Sequence, residues 1–410
     1  MTTFPKFLRL LMLAATALGS VLPASARDDD GQWRKLENLS PVTVGTKTYT
    51  AQCSGYPGPD NKFSFWAKKG KSDNLMVYFE GGGACWDGLT CSLPFGSPGG
   101  GFYSAAIDPL TDPNKFDGVF KADNAKNPVK DWSVVYIPYC TGDLHAGSIK
   151  QTYNQFGNPA APQFDIQHRG FDNFMVVLDW MKKNMDAPKN MLVTGVSAGG
   201  YGASINFPWL ARAYPKAKLN VLADASQGVT APAFDVAPVG RNSWNPQFAP
   251  WVWPNAAAGI PGNELLRVAT QKYPEAKVSQ FTTSFDGVQI FFYGAMKQLY
   301  GFAGNCSNPS DPNPANLSNA FDWYQQMSTK LVSYANTLPN FRYYVAGGQH
   351  HTILAEPGFY TEGSAGVSFS EWLDDMVGNR GGRKGQGGGD WRNVACPTCL
   401  LQLPCPPVLP

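Results

Sequence analysis

Residues 195–202 read Gly-Val-Ser-Ala-Gly-Gly-Tyr-Gly, after the apolar run 191–193 and before a stretch of small, helix-compatible residues. Strand, sharp turn and helix form the context in which a G-x-S-x-G pattern becomes a nucleophile elbow. Gly195 and Gly199 leave the room that such a turn needs. The pattern predicts a nucleophilic Ser197 with the amide of Ala198 facing the substrate. The alternative is a glycine-rich turn with a solvated serine, and the rest of the chain must decide between the two.

Short strands and helices alternate along the chain. Helical spacing of apolar residues appears at 171–185 and at 198–214, where Pro208 marks a kink or an end. Short apolar runs rich in β-forming residues lie at 74–79, 132–137, 190–194, 218–223 and 341–346. This alternation favours an α/β fold with a mostly parallel, doubly wound sheet.

Two regions interrupt the alternation. Residues 86–131 are rich in Gly, Pro, Asp and Asn, and we interpret them as an ordered insertion loop. Residues 226–275 contain Trp244, Trp251 and Trp253, and we expect them to form a cap over the site.

The N-terminus has the pattern of a secretory signal at 1–26, with a basic start, an apolar stretch and Ala24-Ser25-Ala26 as a cleavage site. We expect the mature chain, 27–410, to form one catalytic domain whose end, 378–410, is a Gly-rich segment and a Cys-rich tail. The protein is therefore expected to be secreted or periplasmic, without a membrane span.

The charge balance excludes one class of partner. The signal carries two basic and no acidic residues, so removing it lowers the net charge from +2 to about zero. The chain has no basic stripe, so we expect no nucleic acid partner. A monomer is expected.

An even number of cysteines behind a signal peptide favours disulfides. Cys85 and Cys91 are close enough in sequence for a local loop, and at least one of the last three cysteines is expected to tie the tail to the body. A zinc or redox site at Cys396-Pro-Thr-Cys399 is the alternative, which the lack of a second such motif disfavours. The candidates are Cys53, Cys85, Cys91, Cys140, Cys306, Cys396, Cys399 and Cys405.

A serine nucleophile needs a base and a carboxylate that orients it. His350 and His351 follow the strand-like run 341–346, where the hydrolase order Ser, acid, His places the base. Asp224 and Asp286 both lie at strand ends between serine and histidine, and the pattern does not choose between them.

The two other histidines suit the role of base less well. His145 precedes the serine in a Gly-rich loop, where it could line the pocket, and His168 is expected to be a surface or capping residue.

A glycine-rich loop, Glu80-Gly81-Gly82-Gly83-Ala84-Cys85, follows the run 74–79. Consecutive glycines let main-chain amides face a reacting oxygen, as in esterases. A phosphate-binding loop is disfavoured because the G-x-x-x-x-G-K-[ST] spacing is absent.

These motifs, in this order, resemble the pectin acetylesterase family, which includes the carboxylesterase Notum. The matching stretches are Glu80–Cys85, Tyr139–Cys140, Gly195–Gly200, Ala223–Ala225, Phe285–Gln289, His351–Thr352 and Cys396–Cys399. The resemblance implies an α/β-hydrolase-like fold and metal-free, cofactor-free ester hydrolysis. It places the catalytic serine on Ser197, the aspartate on Asp286 and the histidine on His351, with His350 as the alternative base. It implies oxyanion donors at the amides of Gly82, Gly83 and Ala198.

We therefore expect a secreted, bacterial-type serine carboxylesterase that cleaves acetyl or other short acyl esters, on a polysaccharide such as pectin or on a small ester. A lipase, a polyester depolymerase or a peptidase of the same fold is the first alternative. A catalytically inactive secreted binding protein is the second, and a glycosidase with paired carboxylates is the third.

Overall fold

The computed structural model describes residues 31–58, 61–98, 100–236, 240–299, 317–378, 391–396 and 399. The predicted signal at 1–26, Cys306, Cys405, the Gly-rich residues 379–390 and the last residues 401–410 lie outside this part of the chain.

The strands of the described residues are, in chain order, β1 (Trp33–Leu36), β2 (Val42–Val44), β3 (Lys47–Tyr49), β4 (Phe65–Lys68), β5 (Asn74–Phe79), β6 (Ser133–Ile137), β7 (Ile149–Asn154), β8 (Gln163–His168), β9 (Asn190–Val196), β10 (Lys218–Asp224), β11 (Lys277–Thr283), β12 (Phe341–Ala346), β13 (Gly363–Ser364) and β14 (Val367–Ser368).

The α-helices are α1 (Gly88–Cys91), α2 (Gly170–Asn184), α3 (Ala198–Ala213), α4 (Pro232–Val236), α5 (Leu265–Lys272), α6 (Gly287–Leu299), α7 (Leu317–Thr337) and α8 (Phe369–Val377). Single 3-10 turns lie at Pro113–Lys115, Gly118–Phe120, Gln155–Gly157, Arg241–Trp244, Ala256–Ala258, Gly262–Glu264 and Pro357–Tyr360. Within the described residues, no helix is both long enough and apolar enough to cross a membrane.

One eight-stranded sheet organises the fold, in the order β1-β4-β6-β5-β9-β10-β11-β12. Only β4 runs against its neighbours, β1 and β6, and every other pairing in the sheet is parallel. Parallel neighbours need helical crossovers, which cover both faces of the sheet. The predicted α/β class with a mostly parallel sheet is confirmed, and the architecture is α/β-hydrolase-like.

The central strands are buried on both faces. Val77, Val193 and Val221 point into one apolar cluster, whereas Met76 and Leu192, beside the first two in sequence, point into the other. The first cluster packs against α2, α3, α5 and α7, and the second packs against α8 and the segment around 116–136. Burial on both sides explains why these strands appear as short continuous apolar runs.

All five predicted strands are present, and the two predicted helices correspond to α2 and α3. Pro208 lies inside α3, which continues to Ala213, so the proline does not end the helix. Strand β11 was not predicted, because its buried side chains include the polar Ser279, Gln280 and Thr282. Hydrogen bonds satisfy part of these groups: the Gln280 amide donates to the Ser226 carbonyl at 2.8 Å, whereas Gln280 Oε1 has no partner among the described residues.

Among the described residues, three disulfides join Cys53 to Cys140, Cys85 to Cys91 and Cys396 to Cys399. The predicted local loop at 85–91 is confirmed. The expected link from tail to body is not made by Cys396 and Cys399, because they bond to each other. Main-chain hydrogen bonds of 2.8 Å between Val394 and strand β12 hold this segment instead.

Candidate active site

The residues singled out in the sequence meet at one edge of the sheet. Parallel strands end at the same edge, and the register pairs Phe79 with Gly195, and Val196 with Asp224. On the far side, Thr283 at the end of β11 pairs with Ala346 at the end of β12. The loops after five strands therefore leave the sheet side by side, where ligands bind in open α/β sheets.

Ser197 lies at a strained turn between β9 and α3. Its backbone has φ 56° and ψ −123°, a conformation that residues with a side chain rarely adopt. The Ser197 amide donates to the carbonyl of Asp224 at 2.8 Å, which ties the turn to β10. A Cβ at Gly199 would lie 2.0 Å from the carbonyl oxygen of Phe79, and one at Gly195 would lie 2.5 Å from it. The two glycines therefore let the turn pack against the main chain at the end of β5.

The glycine-rich loop packs directly against this turn. Gly82 and Gly83 have φ values of 155° and 69°, and a Cβ on Gly83 would lie 2.0 Å from the carbonyl oxygen of Phe102. In the described part of the chain, the amides of Gly82, Gly83 and Ala198 donate to no protein acceptor, whereas the Ala84 amide donates to Phe102. Unpaired amides beside a helix N-terminus are suited to binding an anionic oxygen.

His351 and Asp286 contact each other through their side chains. The histidine Nδ1 lies 2.9 Å from Oδ1 and 2.8 Å from Oδ2 of the aspartate. An ionised carboxylate only accepts hydrogen bonds, so Nδ1 carries the proton and Nε2 of the neutral ring is a free acceptor. Nε2 is buried and has no hydrogen-bond partner among the described residues.

The loops after β11 and β12 are joined by main-chain hydrogen bonds, which bring these two residues together. The Phe285 amide donates to Gly348, and the Gly287 amide donates to Gln349 at 3.1 Å. Asp286 itself is fully buried and accepts from the amides of Val288 and Gln289 at the start of α6, and from the Gln289 side chain. These hydrogen bonds fix the position of the Asp286 carboxylate at the start of the helix.

The electrostatics of the site raise the pKa of His351. Burial alone lowers this pKa, but the charge and the hydrogen bond of Asp286, with smaller contributions from Asp224 and Glu356, outweigh burial. The imidazolium is therefore the favoured form over a wider pH range than in water.

Asp224, the other candidate acid, contacts the main chain of the loop that carries His351. Its Oδ2 accepts from the amides of Ile353 and Leu354 at 2.8 and 3.0 Å, and it makes no hydrogen bond to the His351 ring. Burial raises the pKa of Asp224 to about 7, against the effect of these two amides. Asp224 therefore supports the main chain that carries His351.

The other histidines lie away from this contact. His350 is exposed, with Nε2 at 3.5 Å from Glu362, and it does not line the pocket described below. His145 is buried behind the glycine loop, where Nε2 lies 2.9 Å from the carbonyl oxygen of Glu80. This contact supports the loop, and His145 does not line the pocket either.

The expectation of a surface or capping His168 is wrong. It is fully buried at the end of β8, and its ring contacts the Thr141 carbonyl and the Tyr153 hydroxyl at 2.9 and 3.0 Å. His168 also lies near Cys85 and Cys91, a group of three side chains of metal-ligating types. The two sulfurs are bonded to each other, so they are not the thiolates that a metal ion would need.

A pocket with a cavity volume of about 70 Å³, open to solvent, lies over the turn. Ser197, His351, Gly83 and Ala198 all line it. The other lining side chains are mostly apolar: Ala84, Trp86, Leu144, Ala225, Val229, Phe234, Val288, Phe292 and Met296. The arrangement places a serine, a histidine with a free Nε2 and unpaired amides around one apolar space.

The predicted cap region, 226–275, supplies Val229, Thr230, Phe234, Arg241 and Gly262 to the pocket wall. The tryptophans that suggested a cap do not line it. Trp244 is buried and donates to the Cys85 carbonyl at 2.7 Å, and Trp251 packs on Trp209. The indole that does line the pocket, Trp86, directly follows the glycine loop in sequence.

Arg241 was not predicted as part of the site. A single cation in a region of aromatic residues and prolines has no pattern that distinguishes it from a surface arginine.

Comparison with known proteins finds similarity over part of the chain. A model of the pectinacetylesterase family matches residues 60–245, which include the glycine loop and Ser197. Over these residues the chain is similar to the pectin acetylesterase family. Asp286 and His351 lie beyond the residues matched by the family model.

Two relatives show how far the similarity extends. The chain is 28% identical over 231 residues, 55% of its length, to palmitoleoyl-protein carboxylesterase notum1 of Xenopus laevis. It is 26% identical over 207 residues, 47% of its length, to pectin acetylesterase 11 of Arabidopsis thaliana. These alignments cover 39% of the frog protein and 49% of the plant protein, less than two thirds of either relative.

Proposed function

We propose that this protein belongs to the pectin acetylesterase family and is a serine carboxylesterase with Ser197 as nucleophile, His351 as base and Asp286 as the orienting carboxylate. The observation that carries the proposal is the contact of His351 Nδ1 with Asp286, which leaves Nε2 free in the pocket that Ser197 lines. The family resemblance supports His351 over His350, and the exposed position of His350 agrees with this choice.

In the first half-reaction, Nε2 of His351 takes the proton from the Ser197 hydroxyl while the oxygen attacks the ester carbonyl. The resulting tetrahedral oxyanion binds the amides of Gly83 and Ala198, with Gly82 as a third donor. Removing one such donor raises the barrier by roughly 3 kcal/mol. Asp286 stabilises the imidazolium that forms, in line with the raised pKa of His351.

Collapse of this intermediate expels the alcohol, which takes the proton from His351 Nε2, and leaves the acyl group on Ser197. Water then loses a proton to the same Nε2 and attacks the acyl-enzyme. The acid leaves and Ser197 regains its proton. Every proton is taken up or released at His351 Nε2, so the reaction balances without a cofactor.

The substrate we propose is an ester of acetate or another short acyl group on a polysaccharide. The names of the plant relatives support this class, and the frog relatives act on a longer, palmitoleoyl group. The apolar lining accepts acyl carbon atoms of either kind. A panel of p-nitrophenyl esters from acetate to palmitate separates a short-chain esterase from a lipase.

Secretion belongs to the same proposal. Buried disulfides form in oxidising compartments, and the N-terminal pattern predicts cleavage after Ala26. N-terminal sequencing of protein from the periplasm or the medium tests this, and a chain retained inside the cell with residues 1–26 attached would contradict it.

The test of the chemistry is p-nitrophenyl acetate turnover by wild type and by Ser197→Ala. Ser204→Ala is the matched control, because Ser204 lies buried in α3, the helix that begins directly after Ser197, and its hydroxyl donates to the Gly200 carbonyl. We expect loss of activity in Ser197→Ala alone, and labelling by a fluorophosphonate that requires Ser197. Equal rates in all three proteins would overturn the mechanism, and an unlabelled, inactive wild type would favour a binding protein.

A further inference from the structure

Arg241 is an unusual residue in the pocket wall. Its side chain is about 2% exposed, yet it carries a positive charge into a space lined mainly by hydrocarbon. Guanidinium groups have five N–H donors and are rarely buried without acceptors. In the described part of the chain, Nε and Nη2 of Arg241 make no hydrogen bond.

The charge of Arg241 is already balanced. Nη2 lies 3.2 Å from Oδ1 of Asp235, which is equally buried. The other oxygen, Oδ2, accepts from the Thr230 hydroxyl and the Gly262 amide, both at 2.6 Å. Asp235 therefore neutralises the guanidinium but leaves most of its donors unused.

A second unused donor lies in the same wall. Trp86 is about 1% exposed, and its indole Nε1 has no hydrogen-bond partner among the described residues. Trp86 packs edge-on against Phe234, so its ring is fixed. Buried polar groups are normally hydrogen-bonded, and a pocket uses a few such groups to orient its ligand.

We infer that the ester bound here carries an additional neutral oxygen, a hydroxyl or a carbonyl, that accepts hydrogen bonds from Arg241 and Trp86. A neutral acceptor fits better than a carboxylate, because Asp235 already balances Arg241 and a further anion would be buried with excess negative charge. The inference rests on the proposed esterase function and names its substrate class. The extra oxygen belongs to the acyl half, as in a hydroxyacyl ester, or to the alcohol half, as in a partly acetylated polyol or sugar.

Matched substrates separate these two sources. The acyl pair is ethyl 3-hydroxybutanoate and ethyl butanoate, and the alcohol pair is 2-hydroxycyclohexyl acetate and cyclohexyl acetate. We expect wild type to prefer the hydroxylated ester in one pair by roughly ten- to hundredfold in kcat/KM, the range of a hydrogen bond to a charged group. Monoethyl succinate, the anionic comparison, should be a poorer substrate than ethyl butanoate.

Arg241→Met should reduce the preference to about one, and Arg241→Lys should keep part of it. Arg169→Met is the matched control, because Arg169 forms a similar ion pair with Asp172 at 2.8 Å but does not line the pocket. That variant should keep the preference. Trp86→Phe removes one neutral donor and should lower the preference by a smaller factor.

The outcomes separate this inference from the esterase proposal. If wild type hydrolyses p-nitrophenyl acetate through Ser197 but shows no preference in either pair, water alone satisfies Arg241 and only this inference fails. An equal loss for both members of a pair in Arg241→Met would assign Arg241 a structural role. A preference for monoethyl succinate would overturn the neutral acceptor. If Arg241→Met does not fold, the wild-type ratios and Arg241→Lys still decide.

Discussion

Asp286 contacts Nδ1 of His351 with both of its carboxylate oxygens, at 2.9 and 2.8 Å. Asp286→Asn keeps the shape of the side chain but offers an NH₂ group to Nδ1 and loses the charge that stabilises the imidazolium. We expect kcat for p-nitrophenyl acetate to fall by roughly a thousand- to ten-thousandfold. Circular dichroism checks that the fold is kept, and near-normal turnover would remove Asp286 from the mechanism.

The raised pKa of His351 sets the acid side of the pH profile. His351 acts as a base only when neutral, so kcat/KM should fall as pH decreases through a pKa above the ordinary 6.5. Glu356→Gln should move this limb slightly to lower pH, because Glu356 raises the pKa least among the neighbours. NMR titration of the His351 ring in Ser197→Ala checks the assignment. An acid limb of kcat/KM with its midpoint below pH 6.5 would contradict the raised pKa of His351.

Asp224 should affect catalysis through position and not through contact. Asp224→Ala removes the acceptor for the amides of Ile353 and Leu354, so the loop that carries His351 is less well fixed. We expect a stability loss of about 1–3 kcal/mol and a fall in kcat of up to roughly a hundredfold. Urea unfolding and steady-state kinetics measure the two effects. A loss of activity as large as that of Asp286→Asn would give Asp224 the role of the acid.

The sequence predicts the elements that alternate in apolar pattern, and it predicts which loops carry chemistry. It does not predict β11, because the polar residues Ser279, Gln280 and Thr282 interrupt the apolar pattern of this buried strand. Some of their hydrogen-bond partners are distant in sequence, such as Trp391 for Ser279, and a local pattern does not show them.

The choice between Asp224 and Asp286 shows a second limit. Both follow strands of the same parallel set, so their local patterns are alike. They differ in which loop lies beside the histidine, and main-chain pairing between 285–287 and 348–349 determines that. The resemblance to a family selected Asp286, and the structure brings Asp286, not Asp224, to the His351 ring.

His168 should make stability depend on pH. Burial lowers its pKa to about 3, against the effect of the Thr141 hydrogen bond, whereas the unfolded value is near 6.5. Between these values only the unfolded chain binds the proton, so the contribution of His168 is full above pH 6.5 and is lost as pH falls. The difference in unfolding free energy between wild type and His168→Gln should shrink by roughly 1.4 kcal/mol per pH unit in this range. Urea titrations at several pH values measure it, and a constant difference would disprove the shift.

The two disulfides of the body should contribute unequally to stability. Cys53 and Cys140 are separated by 87 residues, and Cys85 and Cys91 by 6. A longer closed loop restricts the unfolded chain more, by about 4–5 kcal/mol for the first pair and about 2 kcal/mol for the second. Replacing each pair by alanine and comparing unfolding free energies tests this order. Equal losses would indicate that native packing at Cys53 and Cys140, and not loop closure, dominates.

The main chain of Asp224 binds the amide of Ser197, and its side chain binds the loop after His351. One residue at the end of one strand therefore sets the spacing of the two groups that exchange the proton. Part of the pocket wall, Val229, Thr230, Phe234 and Arg241, comes from the segment after β10, so its composition can change while that spacing stays constant. Redesign of this protein for a new ester should vary Val229, Thr230 and Phe234 in the pocket wall and leave the end of β10 unchanged.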